Sequence, residues 1–443
     1  MKNVVLQPTF YEKFECIGGA CRNDCCHGWR IDFTREEFKN VKKRMHTDAF
    51  KEIFKDAFIL EKGSDKCLIK TDEKGRCKFL ADDGLCKMYI EVGPENMSKT
   101  CKVFPRHISR YIANYERFLS IACETTVNLC LEEKDGIMLE VQERELTSLE
   151  KNSANNYNLN TIKRFPEYYL WDDMKILVLG VLQNRNYTFG ERMVILGMAM
   201  QKIDTMMKEI KPELDDKEKE KKDKKKTEEQ KLEEQKLAQK TEKVIGEIQE
   251  NIHLFIREIE EVETFKKPFA NLNSDGRQRA SQTVIYHMDK FGHNRLEGRI
   301  KERIDLVRKF EAEAEADTPK INFVIEYTTE KYNQAMADFD EFLKGREYWL
   351  ENIMVEGFLA SRTAFRVDGG FWRNYCAMAI TYSVFLFMLT CCVEKDTSKE
   401  DFVYYVTEIA RTMFHNEQHT KQLEEHLEKT QSDSLAHIAV LVL

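Results

Sequence analysis

Ten of the 13 cysteines fall within the first 130 residues, at positions 16, 21, 25, 26, 67, 77, 86, 101, 123 and 130. Thiolates are soft, strongly donating ligands that suit zinc, copper(I) and iron–sulfur clusters. The densest group reads Cys16-x4-Cys21-x3-Cys25-Cys26, followed by Cys77, Cys86 and Cys101. A single tight turn can aim two such sulfurs at one metal, and Gly18, Gly19 and Gly28 allow turns without a Cβ clash. The spacing differs from standard zinc fingers and from both common ferredoxin runs. It also differs from Cys-x3-Cys-x2-Cys, because Gly28 stands where the third cysteine would be. In a reducing cytosol, crowded cysteines serve metal or redox chemistry more than disulfides. We therefore expect a metal site drawn from this pool, with Cys67 and Cys130 as core residues.

The elements that must position these thiols differ from the rest of the chain. Residues 1–135 hold most short turn signals, including Gly18-Gly19, Asp82-Asp83-Gly84 and Gly93-Pro94. Thr34-Arg35-Glu36-Glu37 forms a capping-box pattern, and Phe38, Val41, Met45, Phe50, Ile53 and Phe54 recur at helical spacing. This predicts one helix over 35–58, a short strand over 67–70, and a hairpin of 107–112 with 115–121. Residues 155–443 are rich in Leu, Met, Lys and Glu, and predict helices at 172–184, 190–208, 296–315, 329–358, 373–393 and 399–414. The expected architecture is a mainly α protein with a small cysteine-rich α+β N-terminal region at 1–135 and a helical domain over 155–443. Within the latter, 211–243 carries 12 lysines against 11 acids and reads as a solvated helix or linker.

Composition narrows the function classes. The chain has 443 residues, 69 basic and 77 acidic side chains, and a formal charge of −8. That balance argues against a nucleic-acid partner, whose binding rests on a basic surface. Gly and Pro together are about half the usual share, which argues against turn-dense all-β folds. Residues 374–393 carry no charge, but one isolated stretch containing Asn374, Thr381, Ser383 and Thr390 reads as a buried core helix, so no membrane partner is expected. The first residues carry no long apolar run of the secretory type, so the expected compartment is cytoplasmic. The chain also lacks a Gly-x-Gly-x-x-Gly loop, so no Rossmann domain is expected.

Residues 14–29, from Phe14-Glu15-Cys16 through Cys25-Cys26-His27-Gly28-Trp29, with Ile31-Asp32, resemble the opening of the flagellin lysine-N-methylase family. Cys77-Lys78-Phe79-Leu80, Asp83-Gly84-Leu85-Cys86 and the run Met97 to Arg106 fit the same pattern. The cysteine framework is shared with a broader group of zinc- or iron-chelating domains. Further along, Leu182-Gln183-Asn184-Arg185, Glu191-Arg192, Glu351-Asn352 and His415-Asn416 are similar to the family's helical region. The family pattern has Cys-Pro-Glu-Ala-Ala where this chain has Cys123-Glu124-Thr125-Thr126.

The resemblance implies methyl transfer from S-adenosylmethionine to lysines of flagellin, in a protein carrying an iron–sulfur cluster of the 4Fe-4S type. It implies metal ligands among Cys21, Cys25, Cys26, Cys77, Cys86 and Cys101, with Cys16 and Cys123 as neighbours. Beside these, Trp29 is a candidate to stack on the cofactor, Asp32 to act as base or ribose contact, and Arg106 to hold the methionine carboxylate. The residues leave two other readings open. One is a zinc-stapled module that binds flagellin or another client without chemistry; the other is a redox sensor working through reversible thiol oxidation.

Overall fold

The computed structural model describes residues 2–27, 31–60, 63–73, 75–210, 228–266, 269, 332–362, 370–414, 429 and 433–443. Two compact units are formed. The first holds Met1–Asn156 and Asp396–Thr412; the second holds the described parts of Tyr157–Phe291, Arg303–Lys395 and Met413–Leu443. The chain is mainly helical, and among the described residues the sheets lie in the N-terminal α+β part.

In the first unit, β1 (Asn3–Pro8), β5 (Arg106–Tyr111), β6 (Asn114–Leu119), β7 (Leu139–Arg144) and β8 (Asn155–Tyr157) form one sheet in the order β7-β1-β6-β5-β8. β1 runs parallel to β6, with Val5 opposite Tyr115, and antiparallel to β7. The expected hairpin is present as β5–β6, with Tyr111 opposite Asn114, so Ile112 and Ala113 make its turn. A second sheet, β2-β4-β3, joins β2 (Asp32–Thr34), β3 (Phe58–Leu60) and β4 (Lys66–Ile69). Its core is phenylalanine-rich: Phe50 stacks on Phe79 with centroids 5.3 Å apart, and Phe33 meets Phe58 edge-on at 5.4 Å.

The helix expected over 35–58 is two helices, Arg35–Arg44 and Asp48–Asp56. Thr34 and Glu37 make the capping box as read from the sequence. The break has a physical cause supplied from far along the chain. Glu91 accepts hydrogen bonds from the His46 and Thr47 amides and from the Thr47 hydroxyl, while Thr47 caps the second helix by accepting from Phe50 N at 3.3 Å. The amides that a continuous helix would have bonded internally are thus satisfied by one carboxylate.

The second unit is helical, with Trp171–Leu182, Phe189–Met207, Glu228–Glu258, Tyr348–Ser361, Phe371–Cys392 and Leu435–Val442 as its longer elements. The helix expected over 329–358 is interrupted. Residues 332–343 and Tyr348–Ser361 are separated by a turn in which Gly345 takes φ +73°. The helix expected over 296–315 and the first half of the charged run, 211–227, lie outside the described residues. Phe371–Cys392 is long and apolar enough to cross a membrane, yet 94% of its most apolar window is buried inside the protein. Buried Tyr375 fits there because Gly197, opposite it, has no side chain to occupy the same space. Glu351, itself buried, takes a bidentate contact from Arg185 and an ion pair from Arg192, tying three helix ends together.

Candidate metal centre

The loop of the first cysteines begins with a 3-10 turn at Gly18–Ala20, closed by Cys21 N donating to Gly18 O at 3.1 Å. Gly18 has φ +56°, which suits a residue with no Cβ. Gly19 has a different reason to be glycine: a Cβ there would lie 2.6 Å from the backbone oxygen of Asp83. The turn carrying Gly18-Gly19 and the turn carrying Asp83-Gly84 therefore touch backbone to backbone. That contact brings the Cys21 and Cys86 segments together.

Other main-chain bonds fix the remaining cysteines. Cys77 N donates to Cys26 O at 2.8 Å, and Leu80 bridges to Cys86. Cys86 stands at the start of the helix Lys87–Val92. Cys101 sits in Lys99–Val103, whose cap is the fully buried Ser98 hydroxyl, accepting from Cys101 N at 3.1 Å. Cys123 opens the helix Glu124–Glu132.

The outcome is a cavity of about 770 Å³ lined by Cys16, Cys21, Cys25, Cys26, Cys77, Cys86, Cys101 and Cys123. All six residues expected as metal ligands are brought together, along with both expected neighbours. None is in a disulfide. Cys67 and Cys130 are fully buried and do not line it; Cys67 packs in the phenylalanine core. Cys376, Cys391 and Cys392 belong to the apolar helix of the second unit. Arg106 lines the cavity with its guanidinium 4.8 Å from the centre of the Phe14 ring. Asp32 pairs with Lys66 at 3.1 Å and is not among the lining residues. Trp29 lies outside the described residues.

The thiols share protons. Hydrogen bonding from Cys26 lowers the Cys25 thiol and, with help from the Tyr89 and Met88 amides, brings Cys86 down to about 7 against its burial. The same bonds, to Cys25 and Cys86, push Cys26 far up. Burial raises Cys21 to about 12, Cys77 to about 11 and Cys101 to about 12, and neighbouring thiols add to it. Several thiolates this close repel one another, and a bound cation reverses that cost. Among the described residues, no three His, Cys, Asp or Glu side chains are grouped as a single metal ion would need. One zinc draws its thiolates to roughly 4 Å apart, whereas a multi-iron cluster holds them at wider corners.

Four residues of this site escape a reading by motif. Asn23, between Cys21 and Cys25, is buried and held on every side. Its amide donates to Glu124, its side-chain nitrogen donates to Thr407 Oγ1 at 2.9 Å, and its carbonyl accepts from Arg411 Nη2 at 2.8 Å. Thr407 and Arg411 come from Lys399–Phe414, within the stretch Asp396–Thr412 that belongs to the first unit. Nothing local in sequence marks them; only the helical period placed that segment in a helix.

The fold and site define a mainly helical, two-unit protein whose α+β part gathers eight thiols around one cavity. The chain belongs to the FliB lysine N-methylase family: the family model of the FliB lysine N-methylase C-terminal domain matches residues 175–441. The lysine-N-methylase of Salmonella choleraesuis strain SC-B67 is 33% identical over 143 residues, 31% of this chain and 35% of that protein. That of Salmonella typhimurium strain LT2 is 32% identical over the same coverage. The flagellar biosynthetic protein FliU of Salmonella muenchen is 33% identical over 145 residues, 31% of this chain and 84% of that protein. The chain thus spans about a third of the length of the curated lysine-N-methylases it matches. No solved structure matches.

Proposed function

We propose that this protein is a lysine N-methyltransferase that moves the methyl group of S-adenosylmethionine to lysine side chains of flagellin in the cytoplasm, and that thiolates of the cavity hold an iron–sulfur cluster. One observation carries the reading: in a chain of the FliB lysine N-methylase family, eight cysteines from five separate segments line one cavity. Cys25, Cys26, Cys77, Cys86 and Cys101 interact with one another and supply more than the four thiolates a 4Fe-4S cluster takes, with Cys21 beside Cys25. When bound, such a cluster supplies an electron-transfer centre.

The balance of the reaction sets what the protein's own residues must do. The bond from sulfur to the methyl carbon breaks, a bond from nitrogen to that carbon forms, S-adenosylhomocysteine leaves, and the amine gives up a proton. Lysine is protonated at neutral pH, so its amine must be desolvated or deprotonated and then oriented. Asp24 and Glu95 are carboxylates on the cavity wall that can attract the ammonium. Both already accept a hydrogen bond, Asp24 from Cys26 N at 2.8 Å and Glu95 from Asn96 Nδ2 at 2.8 Å, and each keeps a second carboxylate oxygen for the proton. Arg106, on the same wall, offers a fork for the methionine carboxylate, and Phe14 beneath it an apolar face.

The test is anaerobic purification, assay of iron and sulfide, then incubation with flagellin and S-adenosylmethionine and intact-mass measurement. Methyl-sized additions on lysine are expected, and Cys25→Ala or Cys86→Ala abolishes both the visible absorption and the additions. Stoichiometric zinc, flagellin binding and no methylation would overturn the enzyme reading in favour of a client-binding module.

A further inference from the structure

The loop that carries Cys21, Cys25 and Cys26 does not hold itself. Of the residues within it, Asn23 is 5% exposed, and three of its hydrogen-bond partners come from two helices elsewhere in the first unit. Glu124 stands next to Cys123, at the start of Glu124–Glu132. Thr407 and Arg411 lie one turn apart on Lys399–Phe414, and so present their polar ends on one face. The same helix reaches the loop twice more: Asp401 pairs with Arg22 at 2.9 Å, and Tyr404 lies beneath the Arg22 guanidinium at 4.9 Å. The loop's turn bonds are short-range: Cys21 Sγ donates to Asn23 O at 3.3 Å and Cys26 N donates to Asp24. The Gly19–Asp83 approach and the bond from Cys77 N to Cys26 O anchor the two ends of this loop, and the grip on Asn23 fixes the stretch between them.

Arg411 is itself held in place: its side chain is 9% exposed, and its guanidinium lies 3.9 Å from Glu408 on the same helix.

We propose that Arg411, with Thr407, is a positioning residue of the thiol site: it fixes Asn23, and through it the Cys21–Cys26 loop. The inference rests on the cavity being a metal centre only where it concerns metal retention; that loop order depends on Arg411 stands without any metal.

The experiment has two readouts on the full-length chain. Amide hydrogen exchange is followed across residues 21–26 in wild type, R411M, R411K and T407V, all without added metal. Losing a charged hydrogen bond to a buried carbonyl raises exchange of that peptide about tenfold or more in R411M. T407V raises it less, and R411K restores it. Iron and zinc per chain are then measured after anaerobic purification, with R411M retaining several-fold less than wild type and R411K most of it. Wild-type exchange in R411M overturns the proposal. Should R411M fail to fold, wild-type exchange in T407V does so. A wild-type protein that binds neither iron nor zinc removes the cofactor from the proposed function, and the exchange result still decides the role of Arg411.

Discussion

Gly19 shows how a single residue type sets the site. The nearest atom to a Cβ at that position is the Asp83 carbonyl oxygen, part of a backbone turn that cannot swing aside as a side chain would. Gly19→Ala must separate the two turns that bring Cys21 and Cys86 together. We expect a loss of roughly 1–3 kcal/mol in urea denaturation, the usual cost of overpacking, together with reduced metal retention. A second residue-scale expectation concerns pH. Arg117, 2% exposed, pairs with Glu150 at 2.8 Å and with Glu12, which also pairs with Arg144. Burial alone would raise both carboxyls. The charges of Arg117 and Arg144 hold Glu12 below its ordinary value, and the Thr147 bonds with Arg117 do so for Glu150. A carboxyl depressed in the folded state contributes stability above its unfolded value, near 4.3, and loses it as pH falls through the folded value. Acid titration of stability is therefore expected to decline below about pH 4.3, and less steeply in a Glu12→Gln, Glu150→Gln double variant. The thiols were legible as a group because cysteine type and turn glycines are local signals. Arg411 and Asn23 were not, because an arginine on a helix and an asparagine in a loop acquire meaning only through a contact 388 residues apart in sequence.

At the scale of elements, periodicity located helices well where helices were bounded locally and poorly where a distant group ended them. Thr34 and Glu37 sit three residues apart, and that cap was read directly. The break at 45–47 depends on Glu91, and no pattern within 35–58 announces it. Gly345 is different: it lies inside the run expected as one helix, and a glycine is a stop signal carried by the sequence itself. The break yields a direct expectation. Thr47→Ala removes the cap of Asp48–Asp56 and should cost about 1 kcal/mol in chemical denaturation. A larger effect is expected where charge is buried between helices. Glu351→Ala leaves Arg192, with its side chain 9% exposed, without the carboxylate it pairs with, and should cost about 3–5 kcal/mol by thermal or chemical unfolding. Replacing both Glu351 and Arg192 by apolar residues should cost less than the single change, since the stranded charge is then gone.

At the scale of the molecule, the chain leaves the first unit at Asn156 and supplies Asp396–Thr412 back to it. Composition divided the sequence into a cysteine-rich part and a helical part, and could not show that a helix encoded in the second part belongs to the first. A fragment of residues 1–156 contains every cavity cysteine and the whole five-stranded sheet except the last residue of β8, yet lacks Thr407 and Arg411. In that fragment the Asn23 side chain loses Thr407 and its carbonyl loses Arg411, keeping only the weak bond from Cys21 Sγ. The fragment is expected to exchange its residue 21–26 amides faster than the same region of the full chain and to retain less iron or zinc. A synthetic peptide of residues 396–414, added in trans, should slow that exchange, and the same peptide carrying R411M should slow it far less. Protection equal to the full chain in the bare fragment would show that the α+β part organises its thiols alone. The expected pattern would instead make the thiol site a property of both ends of the chain, formed only once residues 396–412 have been made and have docked.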